Sequence, residues 1–97
     1  MAVYVVAQID IKDRERYGQY EAGLAEMFSR HNGKLLSVDE SPRVLEGEWP
    51  GTRTVLIEFS NAQDLDAWYH SAAYQELAQH RFAASIANIV VVNSLAL

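Results

Sequence analysis

Arg81 lies on the apolar stripe of a helix-forming stretch, among Leu77, Ala78 and Phe82. A guanidinium there has two uses. Its stem packs while its head reaches solvent or pairs with an acid, or its rigid fork of donors clamps a carboxylate or similar anion inside a pocket. Glu58 stands in an otherwise apolar strand, either as a solvated face residue or as a partly buried acid with a raised pKa. Tyr17, Tyr20, Trp68, Tyr69 and Tyr74 fall at helical spacing. Aromatics so placed fill a core, their hydroxyls reaching partners. Lining a gap between helices and sheet, they instead make a mostly apolar pocket with a few polar tips, the usual form of a small-molecule site. Tyr17, Trp68, Tyr74 and Arg81 are the candidate ligand-binding set. Arg81, Glu58 and His70 are the candidates for proton transfer and anion stabilisation, should the pocket be catalytic.

Other chemistries lack their residues. The absence of cysteine excludes disulfides, thiolate nucleophiles and zinc–thiolate sites. His31, His70 and His80 are the only histidines, and none pair at the i, i+4 spacing of a helical zinc site, so no metal is expected. No serine has a Gly-x-Ser-x-Gly setting. Gly18, Gly23, Gly33, Gly47 and Gly51 stand alone and build no phosphate loop. Glu46 and Glu48 approach a turn and are expected in solvent, not as a convergent acid pair. No cofactor is expected. Thirteen acidic against eight basic residues give a net charge of −5, with the basic ones scattered. Phosphate backbones call for clustered Lys and Arg, which argues against nucleic acid as a partner. No apolar run approaches the roughly 20 residues of a membrane span. Met1-Ala2-Val3-Tyr4 lacks the basic opening of a signal peptide, and a cytoplasmic home is expected.

The elements that must hold these residues are legible as periods. Residues 1–97 are expected to form one domain, since a chain of this length has room for a single core. Val3 to Ile9 alternates, with Val3, Val5, Ala7 and Ile9 on one face and Tyr4, Val6 and Gln8 on the other. Asp13 offers an N-cap. Tyr17, Tyr20, Leu24, Met27, Phe28 and His31 then mark an amphipathic helix, stopped at Asn32-Gly33, where Gly is expected to take the left-handed conformation. Lys34 to Val38 reads as a strand, and Arg43 to Leu45 as a short edge strand. Trp49-Pro50-Gly51-Thr52 suits a type II turn. Trp is seldom fully wet, so Trp49 is expected to pack across an interface or over a pocket rim. Thr54 to Phe59 is a strand with Val55, Ile57 and Phe59 on its apolar face. Ser60 with Gln63 has capping-box spacing for a short helix holding Leu65, Trp68 and Tyr69. That helix breaks near His70-Ser71, and Ser71 caps another that carries Tyr74, Leu77, Ala78, Arg81 and Phe82. Ile86 to Val92 closes the chain as a strand apolar on both faces.

The order strand, helix, strand, strand, helix pair, strand is that of an α+β fold, a ferredoxin-like βαββαβ plait with helices on one face of an antiparallel sheet. Its other face still carries Tyr4, Val6, Leu56 and either Val90/Val92 or Ile89/Val91. Leaving such side chains wet forfeits roughly 1.5–3 kcal/mol each, so a second copy of the chain is expected to cover them.

Val44 to Gly51, Ile57-Glu58-Phe59, Trp68-Tyr69, Ser71 and Tyr74, with Tyr17 and Tyr20 opening the first helix, resemble the domain of unknown function 1330 family. That resemblance covers nearly the whole chain and implies a dimeric α+β barrel. Related branches of that superfamily include monooxygenases, haem-degrading enzymes, small isomerases and lactonizing proteins, a range that chooses no reaction. The expected protein is thus a homodimer binding a small organic metabolite, an anion where Arg81 serves as the clamp, as a cofactor-independent enzyme, or alternatively as a non-catalytic carrier or assembly module.

Overall fold

The computed structural model describes residues 1–95, folded as β1 (Val3–Ile11), α1 (Arg14–Arg30), β2 (Gly33–Asp39), β3 (Arg53–Phe59), α2 (Ala62–Tyr69), α3 (Ala72–Ala84) and β4 (Ser85–Asn93). The strands form one antiparallel sheet in the order β2-β3-β1-β4, the ferredoxin-like plait. Alternation decides which face the helices cover. Val3, Val5, Ala7 and Ile9 of β1 lie beside Val55, Ile57 and Phe59 of β3, all buried in one core with Tyr17, Tyr20 and Phe28 of α1, Leu65 and Trp68 of α2, and Tyr74, Ala78 and Ala84 of α3.

Caps start the helices. Asp13 accepts a hydrogen bond from the Arg16 amide at 3.1 Å, and Ser71 accepts one from the Tyr74 amide at 3.1 Å. The cap of α2 is Asn61, not Ser60: its side chain accepts from the Asp64 amide at 2.7 Å. An amide oxygen one residue on displaces the capping box because Asn caps at least as well as Ser.

Some local expectations give way to tertiary packing. The left-handed residue after α1 is Asn32, with φ of 58°, not Gly33. Gly33 answers a different need, because a Cβ there would lie 2.8 Å from the Phe59 ring. Gly51 does take positive φ, at +100°, and packs against the Ile9 backbone. Residues 43–45 form no strand, so β2 and β4 are the sheet edges. A bulge between Leu35 and Ser37 shifts the register of β2 against β3. Phe82 is 48% exposed, because the buried side of α3 runs through Tyr74, Ala78, Arg81 and Ala84 and leaves it outside.

The face away from the helices carries Tyr4 and Val6 of β1, Leu56 of β3, and Val90 and Val92 of β4. The pairing of Val6 with Val90 and of Tyr4 with Val92 selects these two valines over Ile89 and Val91. Val90 is 55% and Val92 44% exposed. Trp49 lies at the end of this face, its Nε1 donating to Thr54 Oγ1 at 2.8 Å. Among the described residues no helix is long and apolar enough to cross a membrane.

Candidate functional site

Between the sheet and the helices lies a cavity of about 620 Å³, within the range of small-molecule pockets. Val5, Ala7, Ile9, Val55 and Ile57 supply its apolar sheet wall. Leu35 and Val38 on one sheet edge and Ile89 and Val91 on the other line it and remain partly exposed, because the helix layer does not reach the outer strands.

Tyr17, Tyr20, Trp68, Tyr69, Tyr74 and Arg81 all line this cavity. Local structure sets their relation. Ser71 Oγ donates to the Trp68 carbonyl at 2.8 Å while accepting from the Tyr74 amide, so one hydroxyl ties the end of α2 to the start of α3. The Trp68 and Tyr74 rings are held 4.3 Å apart between centroids. Ser71→Ala is expected to lower stability by about 1 kcal/mol, the usual cost of a lost cap, measurable by urea unfolding. Tyr74 and Tyr20 meet across the helix pair with their hydroxyls 2.8 Å apart. One hydroxyl donates to the other, which leaves one phenolic proton of the pair outside that bond, and Arg81 lies within hydrogen-bonding reach of Tyr74.

Arg81 follows Tyr74 by two helical turns and is 5% exposed. Its guanidinium carbon lies 5.8 Å from the Tyr20 ring centre and 4.8 Å from that of Phe82. Among the described residues its Nε has no hydrogen-bond partner and no carboxylate forms an ion pair with it. Burial works against its charge, yet Tyr74 and Tyr20 beside it carry its pKa above the ordinary arginine value, so it stays cationic.

A second buried arginine, Arg53, also lines the cavity. It donates to Glu21 at 2.8 Å and to Glu40, and its guanidinium stands 5.4 Å from the Tyr17 ring centre. Glu40 also accepts from Arg14, and that bond, opposed by burial and aided by Arg53, holds its carboxyl below the usual range. Two carboxylates pair with Arg53, though its Nε, like that of Arg81, has no partner among the described residues, where Arg81 has no carboxylate at all. Sequence reasoning passed over Arg53 although it carried a signal: the inward alternation Val55, Ile57, Phe59, extended back one step, lands on residue 53.

Glu58 and His70 are not brought to this group. Glu58 pairs in register with Tyr4 on the opposite face of the sheet, since an even step from Leu56 points it away from the helices. His70 is the exposed C-cap of α2, its ring against Tyr69. Neither lines the cavity. Trp49 does not line it either. Among the described residues no group of three or more His, Cys, Asp or Glu side chains is assembled to hold a metal.

Burial raises Tyr17 from its usual 10.0 to about 12, and raises Tyr20 as well, with Tyr74 adding to the effect. A phenol whose folded pKa lies above its unfolded one favours the fold fully below the unfolded value and loses that contribution as pH rises toward the folded value. The melting temperature is therefore expected to fall between pH 10.0 and about 12, and Tyr17→Phe to flatten that fall. A flat profile over this window would contradict the burial argument.

No curated protein matches the chain. A protein of unknown function from Rhodopseudomonas palustris superposes with a TM-score of 0.82 at 16% identity, covering 99% of this chain and 84% of that one. SnoaB, a cofactor-independent oxygenase from Streptomyces nogalater, gives 0.68 at 13% identity, over 99% and 95%. A dimeric ferredoxin-like protein of unknown function from Jannaschia gives 0.68 at 12%, over 97% and 100%. At such identities the likeness is one of fold. The sequence pattern is more specific: it matches residues 2–95 to the domain of unknown function (DUF1330), and the chain belongs to that family.

Proposed function

We propose that this protein is a cytoplasmic homodimer that binds a small organic anion in the cavity between its helices and sheet, one site per subunit. The observation that carries the reading is Arg81, buried, lining the cavity and without a carboxylate partner among the described residues. An unpaired buried charge is costly, and a ligand carboxylate or comparable oxyanion answers it. If the ligand is turned over, the chemistry is cofactor-independent: the Tyr20–Tyr74 pair donates a proton and Arg81 stabilises negative charge. The dimer reading rests on the apolar open face and on the dimeric relative from Jannaschia.

One observation favours the alternative of a carrier without turnover. Of the acids lining the cavity, Glu21 is engaged by Arg53 and Asp66 is exposed, and among the described residues no imidazole lines it. The groups left over are donors, suited to holding an anion more than to abstracting a proton.

The test is a crystal structure of protein taken straight from cells, searched for ligand density beside Arg81, with native mass spectrometry of the same sample. An organic acid seated there supports the reading. A sample without bound mass, together with a panel of organic acids that leaves the melting temperature unmoved, counts against it.

A further inference from the structure

β4 is apolar on both faces, and the two faces need different covers. Its pairing with β1 turns Val90 and Val92 away from the helices, where the proposed second subunit meets them. Ile89 and Val91 stand opposite Ala7 and Val5 and so turn toward the helix side. A copy stacked on the open face cannot reach them there. They are 37% and 51% exposed, so the helices do not cover them either. Both line the cavity that Arg81 lines. Val5, Ala7, Ile89 and Val91 thus make one aliphatic strip across β1 and β4, and none of their side chains carries a polar atom. The opposite edge of the cavity, at β2, is less apolar, because Lys34 lines it beside Leu35.

We propose that this strip seats the aliphatic body of a ligand whose anionic head meets Arg81. A polar body laid on it would lose water without gaining a hydrogen bond. An alkyl chain has no such loss, and it removes Ile89 and Val91 from water as it binds. One cavity then has a charged end at Arg81 and an apolar end that opens at the outer edge of the sheet. The ligand class is an amphipathic acid, one carboxylate or comparable oxyanion on an alkyl body. This rests on the proposed anion-binding reading and names the remainder of the ligand.

Straight-chain carboxylates from butanoate to decanoate serve as probes, titrated calorimetrically into the intact protein. Affinity is expected to rise with chain length, by up to about fourfold for each methylene that the strip buries. Ile89→Thr combined with Val91→Thr keeps β-branched side chains in the strand and puts hydroxyls on the strip, so that rise should flatten. In the wild type, the methyl resonances of Ile89 and Val91 should shift with octanoate well beyond those of Val90 and Val92. That signal decides the matter alone should the double variant fail to fold. Affinity that ignores chain length while still depending on Arg81 would overturn the role of the strip and leave the anion site standing. Shifts confined to Val90 and Val92 would place the chain on the open face and overturn it as well. A double variant that sediments as a monomer where the wild type is a dimer would give Ile89 and Val91 to a second copy instead of a ligand. Binding that grows with chain length but is unchanged in Arg81→Met would remove the anion reading, and this ligand class with it. Failure of every acid to bind would do the same.

Discussion

Arg81→Met is expected to abolish binding of organic acids while the protein still folds. Methionine keeps an apolar stem of similar length and deletes every donor. Removing a buried charge-assisted contact to a ligand typically costs 2–5 kcal/mol, so affinity for an acid such as octanoate should fall by about a hundredfold or more. Stability separates this from a structural role. A buried arginine bound to a protein carboxylate leaves that acid stranded when removed, at a cost of roughly 3–5 kcal/mol. Arg81 has no such partner among the described residues, and what it loses is its placement near the Tyr20 and Phe82 rings, worth about 0.5–2 kcal/mol. Calorimetric titration and urea unfolding of the one variant measure both quantities. Intact affinity would end the anion-clamp reading. Unfolding by several kcal/mol would point instead to a structural tie.

Val6→Asp, or Leu56→Asp, is expected to yield aggregated or unfolded protein. Both residues lie on the open sheet face beside Val90 and Tyr4, in an apolar patch that the helices do not cover. In the proposed dimer a carboxylate there is buried without a partner, at a cost of several kcal/mol. That is a large part of the 5–15 kcal/mol by which domains are commonly stable. Glu15→Lys, on the exposed side of α1, serves as the control and should leave assembly unchanged. Wild-type protein is expected to sediment as a dimer at micromolar concentration. A stable wild-type monomer, or a soluble folded Val6→Asp variant with the wild-type melting temperature, would contradict the dimer.

The elements were legible because their signals are local. Period-two alternation in Val3 to Ile9 and Val55 to Phe59 marked the buried strand faces, and the Asp13 and Ser71 caps marked helix starts, all within a few residues. The spacing of Tyr74 and Arg81 likewise put both on one side of a helix before any packing was known. Where the signal was local but shared by two neighbours, the tertiary structure chose. Asn61 outcompeted Ser60 at the cap, and Asn32 took the positive φ so that Gly33 could admit the Phe59 ring. The site itself depends on separations that no local period encodes. The Tyr20 and Tyr74 hydroxyls meet across 54 residues, and Arg53 finds Glu21 across 32. Those contacts exist because α1 packs on α3 and on the inward end of β3. The same packing leaves Glu58 behind the sheet and gives Arg53 carboxylates while Arg81 has none among the described residues. Sequence alone thus determined the inner faces of β1, of α1 and of β3 from Val55 on, while it left β4 open and placed Phe82 on the buried side of α3. Only the tertiary structure decided which inward residues are satisfied by one another, because burial removes water as a partner and leaves geometry to supply the replacement.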